Sequence, residues 1–159
     1  KLYYPDGSIQ HAGVILGIGG VAGHSHKYFP GNDLGYFGRL LTIHNVSAVT
    51  AAVLMVQKEI YFKVGMLNDK ELTVAFNDVD FCLKVRQAGY RNLWTPFSAL
   101  YHHESKTRGA ETTPGKVARF AAECNVMMEH WGVYLKNDCF YNKNLTLVAE
   151  DYSLSNVIH

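Results

Sequence analysis

The chain has 159 residues, of which 48% are hydrophobic and 18% are charged, and its formal net charge is +1. This length corresponds to one domain or a large part of one, with enough apolar side chains for a packed core. A near-neutral charge offers no extended basic surface, so no nucleic-acid partner is expected. The longest apolar run, 48–56, is far shorter than a membrane span and contains Thr50. No transmembrane segment is therefore expected.

The first residues do not have the pattern of a secretory signal peptide. The three cysteines have no C-x-x-C spacing, which favours reduced thiols. Both features predict a cytoplasmic location.

The first part of the chain is predicted to contain short strands, tight turns and one long loop. Residues 2–4 form a strand, Pro5-Asp6-Gly7 forms a turn, and residues 8–16 form the second strand of a hairpin. The glycine-rich stretch 17–35 is expected to be an irregular loop. The β-branched and small residues at 51–56 predict a buried core strand.

The second part is predicted to alternate helix and strand. A short helix covers residues 58–64, and a longer one covers 79–88 with Asn77 or Asp78 as its cap. A strand follows at 90–95. An amphipathic helix begins at Thr113-Pro114 and carries Trp131 on its apolar face. Alternating strands and helices predict an α/β fold with a mixed sheet.

Two patterns resemble a nucleotide site and a metal site, but the residues around them argue against both. Residues 17–22 match the G-x-G-x-x-A dinucleotide motif, yet the residues that follow are not helical and give no helix N-terminus for a pyrophosphate. The histidines have no suitably spaced cysteine for a structural zinc site. His102 and His103 are adjacent, so on an extended segment at most one of them faces a given site.

Four segments taken in order carry a more specific signal. They are a small-residue strand that turns into a helix (49–59), the turn 64–68, the helix that begins Asn77-Asp78-Val79-Asp80 and ends Gly89-Tyr90, and the segment from Tyr101-His102-His103 to Arg108-Gly109. This ordered set resembles the second half of glycosyltransferase family 2. The likeness is strongest to the bacterial enzymes that build O-antigen-type and other surface polysaccharides. It covers the chain from Leu2 to the region of Tyr152.

The resemblance implies a partial GT-A fold, α/β with a mixed sheet and flanking helices. In that interpretation residues 1–159 are a single-domain fragment, the acceptor-side half, and the N-terminal nucleotide-binding half is absent. The parent enzyme would move a sugar from a nucleotide-sugar donor to a saccharide acceptor with inversion, using Mg²⁺ or Mn²⁺. The fragment alone would be inactive. Membrane association would come only through the parent protein or its acceptor.

The resemblance also implies roles for residues around the longer helix. Asp78 stands where the family has its catalytic base, a carboxylate that deprotonates the acceptor hydroxyl. Asn77 replaces the family's usual glutamate, and Asp80 caps the helix or orients its neighbours. His102 or His103 matches a late histidine that helps to bind the divalent metal.

A closing loop and an acceptor cleft complete the expected site. Contacts to the donor diphosphate are expected from Ser105, Lys106 and Arg108, because an arginine fork suits phosphate oxygens. Contacts to the acceptor are expected from four residues: Ser47, Thr50, His24 and His26. Trp94 and Tyr101 could stack on sugar rings, with core packing as the alternative for Trp94.

Two other functions remain open on sequence grounds. The chain could be a non-catalytic carbohydrate-binding or interaction module that keeps the same scaffold. It could also be a metal-dependent hydrolase that uses its histidines. A metal-binding Asp-x-Asp strand end in the coding sequence that precedes Lys1 would favour transfer over binding.

Overall fold

The computed structural model describes residues 1–103 and 113–156, which form a mixed α/β fold. Its helices are α1 (Lys58–Lys63), α2 (Asn77–Gln87) and α3 (Pro114–Leu135). Its strands are short: β1 (Leu2–Tyr3), β2 (Ile9–His11), β3 (Val14–Leu16), β4 (Ala22–His24), β5 (His44–Val46), β6 (Asn92–Trp94) and β7 (Leu100–Tyr101). Short 3₁₀ segments cover Ile18–Gly20, Tyr36–Leu41 and Ala51–Val53, and the second of these is kinked at Phe37 and Gly38.

The sheet that contains β1 is mixed, as predicted. β1 pairs antiparallel with β2, which confirms the N-terminal hairpin, and parallel with β7 on its other side. Two further antiparallel pairs join β3 to β4 and β5 to β6. The parallel pair joins segments far apart in the chain, and it brings the residues that follow β7 close to β2.

The predicted strand at 8–16 is interrupted in its middle. Gly13 has a φ of 96°, which favours glycine, and it separates β2 from β3. A Cβ at this position would lie 2.8 Å from Cγ1 of Val46, so only glycine allows the close approach to β5. The stretch 17–35, predicted as an irregular loop, contains strand β4, which pairs antiparallel with β3.

The core strand predicted at 51–56 is wrong. Residues Ala51–Val53 form an exposed 3₁₀ turn, and Met55 is 100% exposed. Local hydrogen bonds replace strand pairing, since the Thr50 hydroxyl accepts the Ala52 N–H at 3.3 Å. The buried extended residue of this region lies earlier, at Ala48, which bridges to β3 and is 0% exposed.

The three predicted helices are confirmed, with one correction at α2. This helix begins at Asn77, and its N-cap position is held by Phe76 in a left-handed conformation (φ 61°) without a side-chain cap. The prediction that Asn77 or Asp78 caps the helix is therefore wrong, because both lie inside its first turn. Gly89 follows the helix with a φ of 88°, as the sequence indicates.

The main core lies between α2, α3 and β3. Trp131 belongs to it, as predicted, and α3 also contributes Met127 and Leu135. Trp94 lies in a second cluster under β2 and β5 and is 3% exposed, which favours core packing over sugar stacking. Within residues 1–103 and 113–156, no helix is both long and apolar enough to cross a membrane.

Candidate functional site

Asp78 lies half-buried in the first turn of α2. Its Oδ2 accepts the N–H of Ala51 at 2.9 Å, and its Oδ1 accepts the N–H of Val79 at 2.9 Å. A carboxylate is favoured at a helix N-terminus, and two backbone donors stabilise its charge and fix its orientation. The group is therefore held in place while part of it stays open to solvent.

The loop that leads into α2 is held by one buried carboxylate on α3. Glu123 is 1% exposed and accepts the hydroxyl of Thr73 at 3.1 Å. It also accepts the N–H groups of Val74 at 2.8 Å and Ala75 at 3.2 Å. These bonds fix the backbone a few residues before Asp78, so α3 determines where the candidate base lies.

A second contact with α3 holds the first turn of α2 from inside. Asp80 is 1% exposed, and its Oδ1 accepts the indole N–H of Trp131 at 2.8 Å. Its Oδ2 pairs with Lys84 one turn further along α2 at 2.8 Å. Asp80 therefore links α2 to α3, whereas Asp78 two residues earlier faces outward.

Behind the 3₁₀ turn next to Asp78 lies a buried histidine. The N–H of Thr50 donates to Nε2 of His11 at 3.4 Å. Burial, together with the nearby His24, lowers the pKa of His11 well below its usual range, so the imidazole is neutral. The rings of His11 and His24 meet edge to face with centroids 4.9 Å apart.

His24 and His102 both contact Gln10 on β2. Nδ1 of His24 lies 3.1 Å from the backbone oxygen of Gln10. Nδ1 of His102 lies 2.8 Å from Oε1 of the same residue. Of the residues predicted for the site, the structure thus connects Asp78, Thr50, His24 and His102 through a chain of contacts that runs over Ala51, His11 and Gln10.

Two residues predicted to face the acceptor are buried elsewhere. Ser47 is 0% exposed and donates to Oδ1 of Asp138 at 2.6 Å. His26 is 1% exposed, with Nδ1 against Ser25 Oγ at 2.7 Å and Nε2 accepting the N–H of Tyr36 at 3.1 Å. Burial lowers the pKa of His26 to about 4. The acceptor role of both residues stays a prediction, and neither faces solvent.

The remaining predicted residues lie on or after the segment that follows β7. His103 is exposed. The three residues predicted to contact the diphosphate, Ser105, Lys106 and Arg108, fall outside the described residues. In the described part of the chain, no group of three or more His, Cys, Asp or Glu side chains is arranged to hold a metal ion. A metal bound at His102 would need further ligands from elsewhere.

Sequence reasoning missed Gln10, His11 and Glu123. The first two are polar residues within an otherwise apolar strand sequence, a signal that buried polar partners exist. Glu123 lies four residues before Met127 and eight before Trp131, on the apolar stripe of α3. A carboxylate on such a stripe indicates a buried hydrogen-bonding role.

A cavity of about 380 Å³ lies away from this group, between the C-terminal end of α3 and residues 136–147. Asp78 does not line it.

Comparisons with known proteins give two relatives. The chain is 57% identical over 155 residues to the uncharacterized protein y4gI of Sinorhizobium fredii, covering 98% of this chain and 17% of the relative. It is 31% identical over 163 residues to the O-antigen biosynthesis protein RfbC of Myxococcus xanthus, covering 97% of this chain and 12% of the relative. The chain thus spans less than a fifth of the length of either relative. No family model and no solved structure matches it.

Proposed function

We propose that the chain is the acceptor-side half of an inverting GT-A glycosyltransferase of family 2 that acts in surface polysaccharide synthesis. The observation that carries this proposal is the placement of Asp78. Its carboxylate is half-buried at the start of α2, fixed by N–H groups of Ala51 and Val79, and next to Thr50. A base for an acceptor hydroxyl needs such a fixed, accessible carboxylate.

The mechanism follows from this placement. Asp78 accepts the proton of the attacking hydroxyl while the hydroxyl oxygen forms a bond to the anomeric carbon of the donor. The bond from that carbon to the nucleotide diphosphate breaks on the opposite face, so the configuration inverts. The protein contributes mainly by orienting the acceptor and removing its proton. Thr50 and His24 lie in the same connected group and are proposed to contact the acceptor.

A divalent metal, Mg²⁺ or Mn²⁺, is part of the proposal. When bound, the metal supplies positive charge that stabilises the leaving diphosphate. Among the described residues the fit is partial: His102 offers an imidazole, and no group of three or more His, Cys, Asp or Glu side chains is arranged to hold the ion. We assign His102 to metal binding ahead of His103, with the remaining ligands from the other half of the enzyme or from the diphosphate. The proposed diphosphate contacts of Ser105, Lys106 and Arg108 are retained.

The similarity to an O-antigen biosynthesis protein supports the polysaccharide setting of this proposal. The short coverage of both relatives is compatible with a chain that supplies one part of a larger enzyme. The nucleotide-binding half is then proposed to lie in the rest of the polypeptide. The partners of the whole enzyme would be a nucleotide-sugar donor and a saccharide acceptor, and the enzyme would act in the cytoplasm.

The proposal is tested on the full-length polypeptide that contains this chain. The protein is incubated with Mn²⁺, a panel of nucleotide sugars and saccharide acceptors, and release of nucleotide diphosphate is measured. We expect transfer from one donor, with a product whose anomeric configuration by NMR is opposite to that of the donor. A product of retained configuration, or no transfer with any donor, would contradict the proposal.

A second candidate is a non-catalytic carbohydrate-binding module. It is favoured by exposed aromatic faces, since Tyr101 is 63% exposed and Tyr28 is 68% exposed and stacks on Tyr4. Saccharide binding that is lost in Tyr101→Ala, without any transfer and without an effect of Asp78→Ala, would support this alternative. The metal-dependent hydrolase suggested by the histidines stays a prediction.

A further inference from the structure

The backbone beside Asp78 is held by side chains. The four successive N–H groups of residues 49–52 each donate to a side-chain atom. Taken in the order of the donors, the four acceptors are Sγ of Cys82, Nε2 of His11, Oδ2 of Asp78 and the hydroxyl oxygen of Thr50. Side chains from β2 and α2 therefore hold this segment between them.

Two of these hydrogen bonds lie on adjacent peptide groups. The N–H of Thr50 donates to His11 at 3.4 Å, and the N–H of Ala51 donates to Asp78 at 2.9 Å. Only the φ (−73°) and ψ (142°) of Thr50 separate the two rigid peptide planes. Because Thr50 is 9% exposed, its backbone has little room to turn. The bond to His11 therefore limits the direction of the Ala51 N–H, which in turn orients the carboxylate of Asp78.

The stability of the fold does not explain a histidine at position 11. Burial, together with the nearby His24, lowers the pKa of His11 well below its usual range, so the imidazole is neutral and Nε2 accepts through its lone pair. Its one hydrogen is then on Nδ1, which is buried and makes no hydrogen bond within the described residues. The imidazole thus pairs one buried donor, the Thr50 N–H, and leaves another without a partner. An apolar side chain would also leave one unpaired donor, so the gain from the histidine lies in the position of residue 50.

We propose that His11 is a positioning residue for Asp78 that acts through the N–H of Thr50 and the 3₁₀ turn that follows it. This inference rests on the proposed function and deepens it by naming what holds the base in place. The ring of His11 also meets that of His24, with centroids 4.9 Å apart. One buried imidazole therefore contacts both residues proposed to bind the acceptor, Thr50 and His24, and connects them to the base.

The first measurement is kcat for sugar transfer by the full-length polypeptide. His11→Leu removes the acceptor of the Thr50 N–H. It should lower kcat by roughly 10- to 100-fold, because a small displacement of a catalytic group has an effect of this order. His11→Gln offers an amide oxygen to the same N–H and should recover most of the loss. His130→Leu, on an exposed histidine of α3, is the matched control and should keep the wild-type kcat. Equal kcat in His11→Leu and this control would overturn the inference.

A double-mutant cycle separates positioning from general support of the fold. In an Asp78→Asn background, His11→Leu should lower kcat no further, because it acts through the missing carboxylate. The urea midpoints of the His11→Leu and His130→Leu chains should agree, since one unpaired buried donor replaces another. An equal fall of kcat in both backgrounds would show that His11 does not act through Asp78 and would overturn the proposal.

Two measurements on the ¹⁵N-labelled 159-residue chain need no transfer activity. Long-range ¹H–¹⁵N spectra at neutral pH should show His11 with its hydrogen on Nδ1 and a bare Nε2. A hydrogen on Nε2 in the wild type would overturn the inference, even if the His11 variants fail to fold. Hydrogen exchange at the Ala51 amide should be faster in His11→Leu than in His130→Leu, and equal rates would count against the proposed coupling. The proposed base fails separately, through a wild-type kcat in Asp78→Asn alone, so the two failures are distinguishable.

Discussion

Replacing Glu123 by glutamine tests the claim that α3 holds the loop before Asp78. The glutamine oxygen can still accept two of the three donors, the Thr73 hydroxyl at 3.1 Å and the Val74 N–H at 2.8 Å. Its amide nitrogen then faces the N–H of Ala75, where two donors meet in a buried site. Leaving a buried donor unsatisfied costs about 1–3 kcal/mol. We expect a loss of about 2 kcal/mol, with a small further loss from the Arg119 contact at 3.7 Å.

Urea unfolding measures this loss. With a slope of about 2 kcal/mol per molar urea, a loss of about 2 kcal/mol moves the midpoint down by about 1 M. Hydrogen exchange should also be faster at the amides of Val74 and Ala75, and unchanged in the β3–β4 hairpin. Glu129→Gln is the matched control, because this carboxylate lies exposed on the same helix. A Glu123→Gln midpoint within error of the control would refute the claim.

Three further outcomes are expected. Trp131→Phe removes the indole N–H that donates to Asp80 at 2.8 Å and should lower the free energy of unfolding by about 1–3 kcal/mol; equal midpoints would argue against this bond. Burial lowers the pKa of His26 from 6.5 to about 4, so the folded chain binds this proton less readily than the unfolded chain does. The contribution of this group to stability is therefore greatest above pH 6.5 and is lost as pH falls toward 4. Unfolding curves of His26→Phe should therefore depend less on pH in this interval than those of the wild type. Burial raises the pKa of Cys82 to about 12, so iodoacetamide at neutral pH should modify the exposed Cys139 and spare Cys82 until the chain unfolds.

Local sequence signals predicted the elements that local interactions determine. The turn at Gly7, the end of α2 at Gly89 and the amphipathic stripe of α3 each depend on residues close together in the chain. The prediction of a core strand at 51–56 was wrong because β-branched and apolar residues are also compatible with an exposed turn. The N–H of Ala51 also donates a hydrogen bond to Asp78, which lies 27 positions later and which local patterns do not indicate.

The candidate site was predicted only in part for the same reason. Asp78 and His102 come from motifs, and both lie in the connected polar group. The residues that orient them, Gln10 and Glu123, act across 92 and up to 50 positions of sequence. Ser47 shares a segment with Thr50 but is buried against Asp138, which sequence spacing gives no means to foresee.

The central claim is that Asp78 removes the proton of the acceptor hydroxyl. The most direct measurement is kcat for sugar transfer by the full-length enzyme, compared between the wild type, Asp78→Asn and the exposed-carboxylate control Asp69→Asn. General-base catalysis contributes roughly 10²- to 10⁴-fold. We predict a fall of that size in kcat for Asp78→Asn, with KM for the donor nearly unchanged, and wild-type kcat for Asp69→Asn. An Asp78→Asn enzyme that transfers sugar at close to the wild-type rate would contradict the account.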